Sequence, residues 1–527
     1  MNLAQVARIL AGFAAFFGLS AVVPLAVSLY ETETEARYAT TSGFGACIVL
    51  GLAVAALLRF GGGRAQPAQF FRKEGIAVVA FAWLLAGALA AVPFVWSGAL
   101  RHGADALFES FSGLTTTGAS VFGSSRTPAV ESLPASLLLW RAMLQWMGGL
   151  GIILAFLVLL PAMGAIGKNL LSSEYAGIGS ETIRPRLQEQ GRLLFRLYSA
   201  LTLAAFGLLT LCGMPAFDAL CHAMTTLSTG GYSTRNASIG AYESLPIELV
   251  VLVFMWIGGT NFPLLYAWLT NGVTRPSLLW QSPEFRLYVY YTLLVDGLVT
   301  IVLRLYGAHV PDDLTGSMHD YSRIGECLRH AAFNVVSVMT STGYCSVDFQ
   351  QWPRPAVMIL IGCMLIGACT GSTSGGLKIL RLLVFLKLIT YTVRHFIRPK
   401  SIEKLKVDDQ VLPNAVVSAI LAMALLWAAS VGLGAMLLSL EPGMGVLSSL
   451  SSSASMLGCT GPGLTAVTRL PTGEFGLALD GAINVGPYGS FGELPGWAKI
   501  VMSFQMLLGR LEILPLLALL APSFWRR

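Results

Sequence analysis

Charge is scarce in this sequence. Asp, Glu, Lys and Arg make up 12% of its 527 residues, against roughly 25% in an ordinary globular chain. So few charges cannot cover the surface of a water-soluble protein. The 55% hydrophobic share also excludes disordered, collagen-like and coiled-coil classes. Catalytic signatures are missing too. No HExxH occurs, and Gly371-Ser372-Thr373-Ser374-Gly375-Gly376-Leu377-Lys378 approaches a phosphate-binding loop with the wrong spacing and inside an apolar segment. No loop is long enough for a soluble catalytic domain. The eight cysteines contain no CxxC pair and lie mostly in apolar runs, where they read as small buried hydrophobes. What remains is an all-α polytopic membrane protein, embedded in lipid, that is not an enzyme.

Ten long apolar runs are present, near Ile9–Tyr30, Thr41–Leu58, Gly75–Leu100, Ser136–Leu160, Leu193–Met214, Ile247–Trp268, Leu287–Leu303, Val357–Tyr391, Leu412–Leu440 and Trp497–Leu520. Most reach the roughly 20 residues that cross a hydrocarbon core. The first is too long for the core of a cleavable signal. The eighth is too long for one span and is interrupted by Gly, Ser and Thr. The net charge of +6 comes from basic residues in short connections, so topology explains it and nucleic acid is not implied. Arg59, Arg64, Arg72, Lys73, Lys168, Arg184, Arg186, Arg192, Arg394, Arg398, Lys400, Lys404, Lys406, Arg526 and Arg527 all fall on one side when ten spans are drawn. The positive-inside rule then places both termini in the cytoplasm.

A fourfold internal repeat organises the chain. Four sites read Thr115-Thr116-Thr117-Gly118-Ala119, Leu227-Ser228-Thr229-Gly230-Gly231, Thr340-Ser341-Thr342-Gly343-Tyr344 and Gly458-Cys459-Thr460-Gly461-Pro462. Taking Gly118, Gly230, Gly343 and Gly461 as equivalent, the glycines are 112, 113 and 118 residues apart. Before each site stands a stretch too short to span: Ala104–Leu114, Phe217–Leu227, Gly325–Met339 and Gly445–Leu457. A spanning run precedes it and another follows. The pattern predicts span, half-helix, turn and span four times around a central pore, after two leading spans. The expected division is 1–73 for the leading pair and its linker, then 74–168, 169–275, 276–400 and 401–527 for the repeats. Irregular backbone at membrane depth is tolerated where it lines a water-filled path. Carbonyl oxygens in such turns can replace the hydration shell of a monovalent cation.

These residues resemble the Trk/Ktr/HKT superfamily of potassium transporters, and within it the TrkH-type bacterial subunit. Beyond the four turns, the likeness is carried by Phe108-Glu109-Ser110, Phe217-Asp218-Ala219, Cys221-His222, Leu328-Arg329-His330, Gly258-Gly259-Thr260-Asn261-Phe262 and Gly509-Arg510-Leu511-Glu512-Ile513. It covers nearly the whole chain, the two leading spans included. The resemblance implies potassium uptake across the bacterial inner membrane. It implies a filter of mainly backbone carbonyls from Thr116, Thr117, Gly118, Ser228, Thr229, Gly230, Ser341, Thr342, Gly343, Cys459, Thr460 and Gly461. K+ is then the transported ion, and no organic cofactor is expected in this chain. A homodimer and a cytosolic NAD/ATP-binding regulatory partner of the TrkA type are implied as well. One departure is visible. The fourth turn in the family usually reads Asn-Leu-Gly-Pro-Gly, and here it reads Cys459-Thr460-Gly461-Pro462-Gly463. The other class that broken helices allow is a secondary symporter, although such folds usually carry two repeats, often inverted.

Two features are gate candidates. Thr370, Gly371, Ser372, Thr373, Ser374, Gly375 and Gly376 favour an unwound loop inside the eighth run, a stretch that relatives use as an intramembrane gate; the alternative is a glycine kink for close packing. Arg510 falls, on alignment of the second spans, opposite Leu150, Thr260 and Cys369, and it is the charged one of the four. It is either a positive charge below the turns or half of a structural ion pair. Lys378 and Arg381 are either gate charges or anchors that reach the interface. Arg141 is expected to snorkel, and Glu109, Asp218, Glu326 and Arg329 to brace the turns from behind. His222 and His330 read as core residues, and Asp296 stands in a span with no evident partner.

Overall fold

The computed structural model describes residues 2–61, 72–162, 183–271, 277–306, 310–311, 318–399, 405–407, 410–469, 475–477 and 481–525. Of the basic residues that orient the chain, Arg64, Lys168, Lys400, Lys404, Arg526 and Arg527 lie outside the described residues.

Long apolar runs become helices because a helix satisfies every backbone polar group internally. Two leading spans, Leu3–Ser28 and Thr34–Gly61, pack where Gly18 faces Gly51, so close that a methyl on Gly51 would lie 2.8 Å from the Gly18 Cα. The four repeats follow. The first is built from Arg72–Trp96, Gly103–Leu114 and Ala135–Ala162. The second is built from Ile183–Leu211, Ala216–Leu227 and Leu245–Gly258, and the third from Pro283–Tyr306, Ile324–Met339 and Arg354–Ile366. Asn414–Leu438, Val446–Gly458 and Gly496–Arg510 make the fourth. The short middle helices start and stop within a residue of the expected half-helices.

Besides the eighth, two of the ten apolar runs are bent. Six described helices are long and apolar enough to cross a membrane. The run Ile247–Trp268 bends by 100° between Leu245–Gly258 and Phe262–Thr270, and Trp497–Leu520 bends by 114° between Gly496–Arg510 and Leu514–Leu520. Both breaks have a local cause. Pro263 and Pro515 sit in the first turn of the second piece, where a missing N–H costs nothing. Asn261 Oδ1 accepts from Leu264 N at 2.9 Å and caps the restarted helix. The eighth run breaks as expected, into Arg354–Ile366 and Ile379–Ile397.

The repeats close into a ring. The last helix of each repeat packs against the short helix of the next, and that of the fourth returns to the first. Two of these joints carry ion pairs. Arg329 Nη2 meets Glu248 Oε1 at 2.7 Å, and Lys499 Nζ meets Asp105 Oδ1 at 2.5 Å with both side chains buried. Lys499→Met should strand a buried carboxylate and cost about 3–5 kcal/mol, read as a lower thermal unfolding midpoint in detergent. The double variant Asp105→Leu/Lys499→Met should recover most of that loss. A single variant as stable as the parent would show that this joint does not hold the ring.

Candidate functional site

The four turns share one backbone. The residue two places before the key glycine is left-handed in each: Thr116 (φ 53°), Thr229 (50°), Ser341 (54°) and Cys459 (54°). Two residues on, Gly118 (81°), Gly231 (80°), Gly343 (80°) and Gly461 (105°) are left-handed again. Between them, Thr117 N donates to Ser112 O, Gly230 N to Thr225 O, Thr342 N to Ser337 O and Thr460 N to Ser455 O, at 2.8–2.9 Å. Gly231 is therefore the glycine of the second repeat, not Gly230. The true spacings are 113, 112 and 118 residues. The Thr229-Gly230 dipeptide matches the other Thr-Gly pairs by eye, but the backbone puts Gly230 where the other turns carry Thr117, Thr342 and Thr460. Left-handed Thr and Ser are sparsely populated conformations, and such strain concentrates at functional sites.

The turns interlock. A methyl on Gly118 would overlap the carbonyl oxygen of Gly230, on Gly231 that of Thr342, on Gly343 that of Thr460, and on Gly461 that of Thr117. The four glycines line one cavity of about 80 Å³, together with Arg141 and Tyr232. Among the described residues, no protein donor bonds the carbonyl oxygens of Thr117, Thr342 or Thr460. The fourth oxygen, of Gly230, accepts from Gln145 Nε2 at 2.6 Å.

Charged groups, some of them buried, stand around the turns. Glu109 accepts from Val121 N at 3.0 Å and from Arg141 Nε at 2.8 Å. Arg141 does not snorkel: it is 2% exposed and its guanidinium stacks 4.1 Å from the Tyr232 ring centre. Lipid-facing room is what snorkelling needs, and the Glu109 carboxylate offers a stronger partner. Asp218 pairs with Arg235 at 3.2 Å and accepts from the Tyr242 hydroxyl at 2.9 Å. Burial pushes that phenol, in the connection after the second turn, up to about 12, so it stays a neutral donor. Glu326 lies 3.2 Å from His330 Nε2. His222 contacts Asp218 O at 2.7 Å and Ser233 Oγ at 2.9 Å, and His330 Nδ1 lies 3.0 Å from Ser346 Oγ. Asp296 Oδ1 is buried with no hydrogen-bond partner among the described residues.

The interrupted eighth run passes directly against the turns. Thr373 Oγ1 lies 3.1 Å from the carbonyls of Leu227 and Gly258 and 3.1 Å from Thr229 Oγ1. Gly375 N donates to Ser341 Oγ at 2.6 Å, and Gly375 lies against Gly458 O so closely that a side chain would not fit. Ser372 and Ser374 hydroxyls are 2.9 Å apart. Thr370 N donates to Glu284 Oε1 at 2.6 Å, and Lys378 Nζ donates to Ser374 O. Left-handed Gly371 and Gly376 bracket the loop.

Arg510 completes the convergence. Its Nη1 donates to Thr373 O at 2.6 Å and its Nη2 to Gly148 O at 3.3 Å. Among the described residues no carboxylate pairs with it, so its partners are carbonyls of the loop and of the first repeat. Its register also differs from the expected one. Gly148, Gly258 and Gly509 each lie against the carbonyl two residues before a left-handed turn residue, that of Leu114, Leu227 and Leu457. Arg510 thus corresponds to Gly149 and Gly259, one residue off the match with Leu150 and Thr260. Arg381 pairs with Glu512 at 2.6 Å, so it is tied to the bend that follows Arg510.

The TrkH family, described as a cation transport protein, matches residues 44–474. The chain belongs to the TrkH family. Trk system potassium uptake protein TrkH of Vibrio parahaemolyticus is 32% identical over 529 residues, and its namesake from Salmonella typhimurium 31% over 528, with both chains covered in full each time. The crystal structure of the potassium transporter TrkH from Vibrio parahaemolyticus matches with a TM-score of 0.83 at 31% identity over the whole of both chains. The fold is accordingly that of a multi-pass membrane protein of the TrkH family, with four span, pore-helix and span repeats.

Within this TrkH-family chain, two residues of the site were not singled out from sequence. Glu284 gave no local signal, because its carboxylate reaches the loop from 86 residues away. Gln145 did give one: it is an amide in an apolar span, three residues before Gly148. Gly231→Ala should be destabilising, because its φ costs a residue with a Cβ about 1–2 kcal/mol and the Thr342 carbonyl occupies the space. Gly297, which faces open space, supplies the control, and Gly297→Ala should keep the parental thermal midpoint. Equal midpoints for the two variants would contradict the assignment of Gly231 as the turn glycine.

Proposed function

We propose that this chain carries K+ into the cell across the bacterial inner membrane, through the ring of turns. The ring itself carries the reading: four carbonyls, of Thr117, Gly230, Thr342 and Thr460, each abut the glycine of a neighbouring turn, and three of them have no protein donor among the described residues. Such oxygens supply partial negative charge to a dehydrating cation without a fixed anion that would trap it. The short helices end at the turns, so their C-terminal dipoles add up to about −2 charges in all. Thr116, Thr229, Ser341 and Cys459, with the glycines Gly118, Gly231, Gly343 and Gly461, shape the filter. Gly118 at the first turn supports K+ over Na+, since some plant relatives with serine there favour sodium. The relatives named as potassium uptake proteins support the same ion.

Below the filter, the loop Thr370–Gly376 and Arg510 act as the gate. Arg510 holds the loop closed through Thr373 O and sets one positive charge under the turns. Conduction requires that bond to open and the charge to swing aside. Lys378 and Arg381, which follow the moving stretch, anchor its C-terminal end. Both termini face the cytoplasm. The chain works as a homodimer with a cytosolic NAD/ATP-binding regulatory protein of the TrkA type, docked on the basic cytoplasmic connections.

Rubidium tracer uptake into liposomes containing the purified protein and its regulator tests this reading. Saturable uptake blocked by K+ but not by Na+ is expected, and Gly118→Ser should weaken that discrimination. Arg510→Ala should raise flux severalfold while the protein still folds. No uptake with the regulator supplied would overturn the channel reading in favour of a broken-helix symporter. Unchanged flux in Arg510→Ala would remove the arginine from the gate.

A further inference from the structure

The ring is not fourfold where the amide of Gln145 meets it. Gln145 is fully buried. Its Nε2 donates to Gly230 O at 2.6 Å, and its Oε1 accepts from Tyr232 N at 3.0 Å. The carboxamide therefore bridges the peptide groups on both sides of the left-handed Gly231. Both bonds fix its orientation, since the reverse placement would set donor against donor and acceptor against acceptor.

The other repeats lack this bridge. Three residues before Gly258, Gly367 and Gly509 stand Met255, Met364 and Met506, all buried. A methionine thioether cannot donate to a carbonyl. The turn position equivalent to Gly230 differs in the same way: Thr117, Thr342 and Thr460 carry side chains, whereas Gly230 has none. A methyl on Gly230 would overlap Cγ, Cδ and Oε1 of Gln145. Gly230 is not left-handed, so its glycine is explained by room for the amide and not by conformation. Methionine thus stands at the Gln145 position, and threonine at the Gly230 position, in the other three repeats.

We infer that Gln145 is a positioning residue for ion selectivity, acting through the carbonyl of Gly230. The inference rests on the carbonyl-ring reading above. Selectivity among monovalent cations depends on the number and field strength of the coordinating carbonyls. An amide N–H on the Gly230 oxygen occupies one lone pair and sets a positive hydrogen beside it, so this oxygen pulls on a cation less strongly than its three neighbours. The bond also stops the oxygen from closing in on a smaller ion. Removing the donor gives four oxygens of similar strength, a higher field, and a site better suited to Na+.

The test is rubidium tracer uptake into liposomes, with the regulator present and with K+ and Na+ as separate competitors. Gln145→Met keeps the length of the side chain and removes the donor. Gln145→Met/Gly230→Thr installs the residues that the other three repeats carry at these positions, and it guards against a single variant that misfolds. Both should shift inhibition toward Na+, by about tenfold relative to K+, which is the worth of one buried hydrogen bond. A role in packing alone would leave that ratio unmoved. Folded variants that both keep the parental ratio would overturn the inference while leaving the K+ reading intact. Parental protein that takes up no rubidium would overturn both.

Discussion

A backbone carbonyl left without a donor inside a bilayer is costly, and the architecture follows from keeping several of them together at one place. A regular helix hides its carbonyls in its own hydrogen bonds. Exposing them needs a helix that stops at membrane depth, a left-handed turn, and a surrounding wall that excludes lipid. The short helices supply the stop, Thr116, Thr229, Ser341 and Cys459 the turn, and the first and last helices of the repeats the wall. Each turn alone would be an unsupported strained loop. The ring makes each left-handed glycine face the carbonyl of its neighbour, so no turn can relax without displacing the next.

The same constraint explains the polar groups buried behind the ring. Glu109, Arg141 and Ser120 form a network that ties the first turn to the last helix of its own repeat. Glu248 with Arg329, and Asp105 with Lys499, tie neighbouring repeats. Buried pairs of this kind contribute little net stability compared with apolar packing, but breaking one is expensive. They penalise any rearrangement of the wall and so hold the turns in register. The loop beneath is held differently, by Thr373, Ser374 and Gly375 bonding to backbone and hydroxyl groups, with Arg510 and Lys378 donating to its carbonyls. Such contacts can be exchanged for bonds to water. A braced ring above an exchangeable loop is what the proposed filter and gate would require.

Much of this was legible in the sequence, and particular residues show where legibility ended. Apolar run length, the half-helices and the recurrence of Thr-Gly are local properties, set by hydrophobicity and by the few residues that tolerate tight turns. They placed the helices, the repeat, the break in the eighth run and three of the four turn glycines, because each depends on neighbours in the chain. The choice between Gly230 and Gly231 is not local: two adjacent glycines are interchangeable until Gln145 of another repeat takes the space beside one of them. The register of Arg510, the burial of Arg141 and the reach of Glu284 to Thr370 depend likewise on partners many residues away. The sequence by itself determined what this protein is made of: spanning helices, four interrupted segments and the turns between them. Only the tertiary structure decided which atoms meet at the centre, because closing a ring brings together groups that no spacing along one repeat can relate.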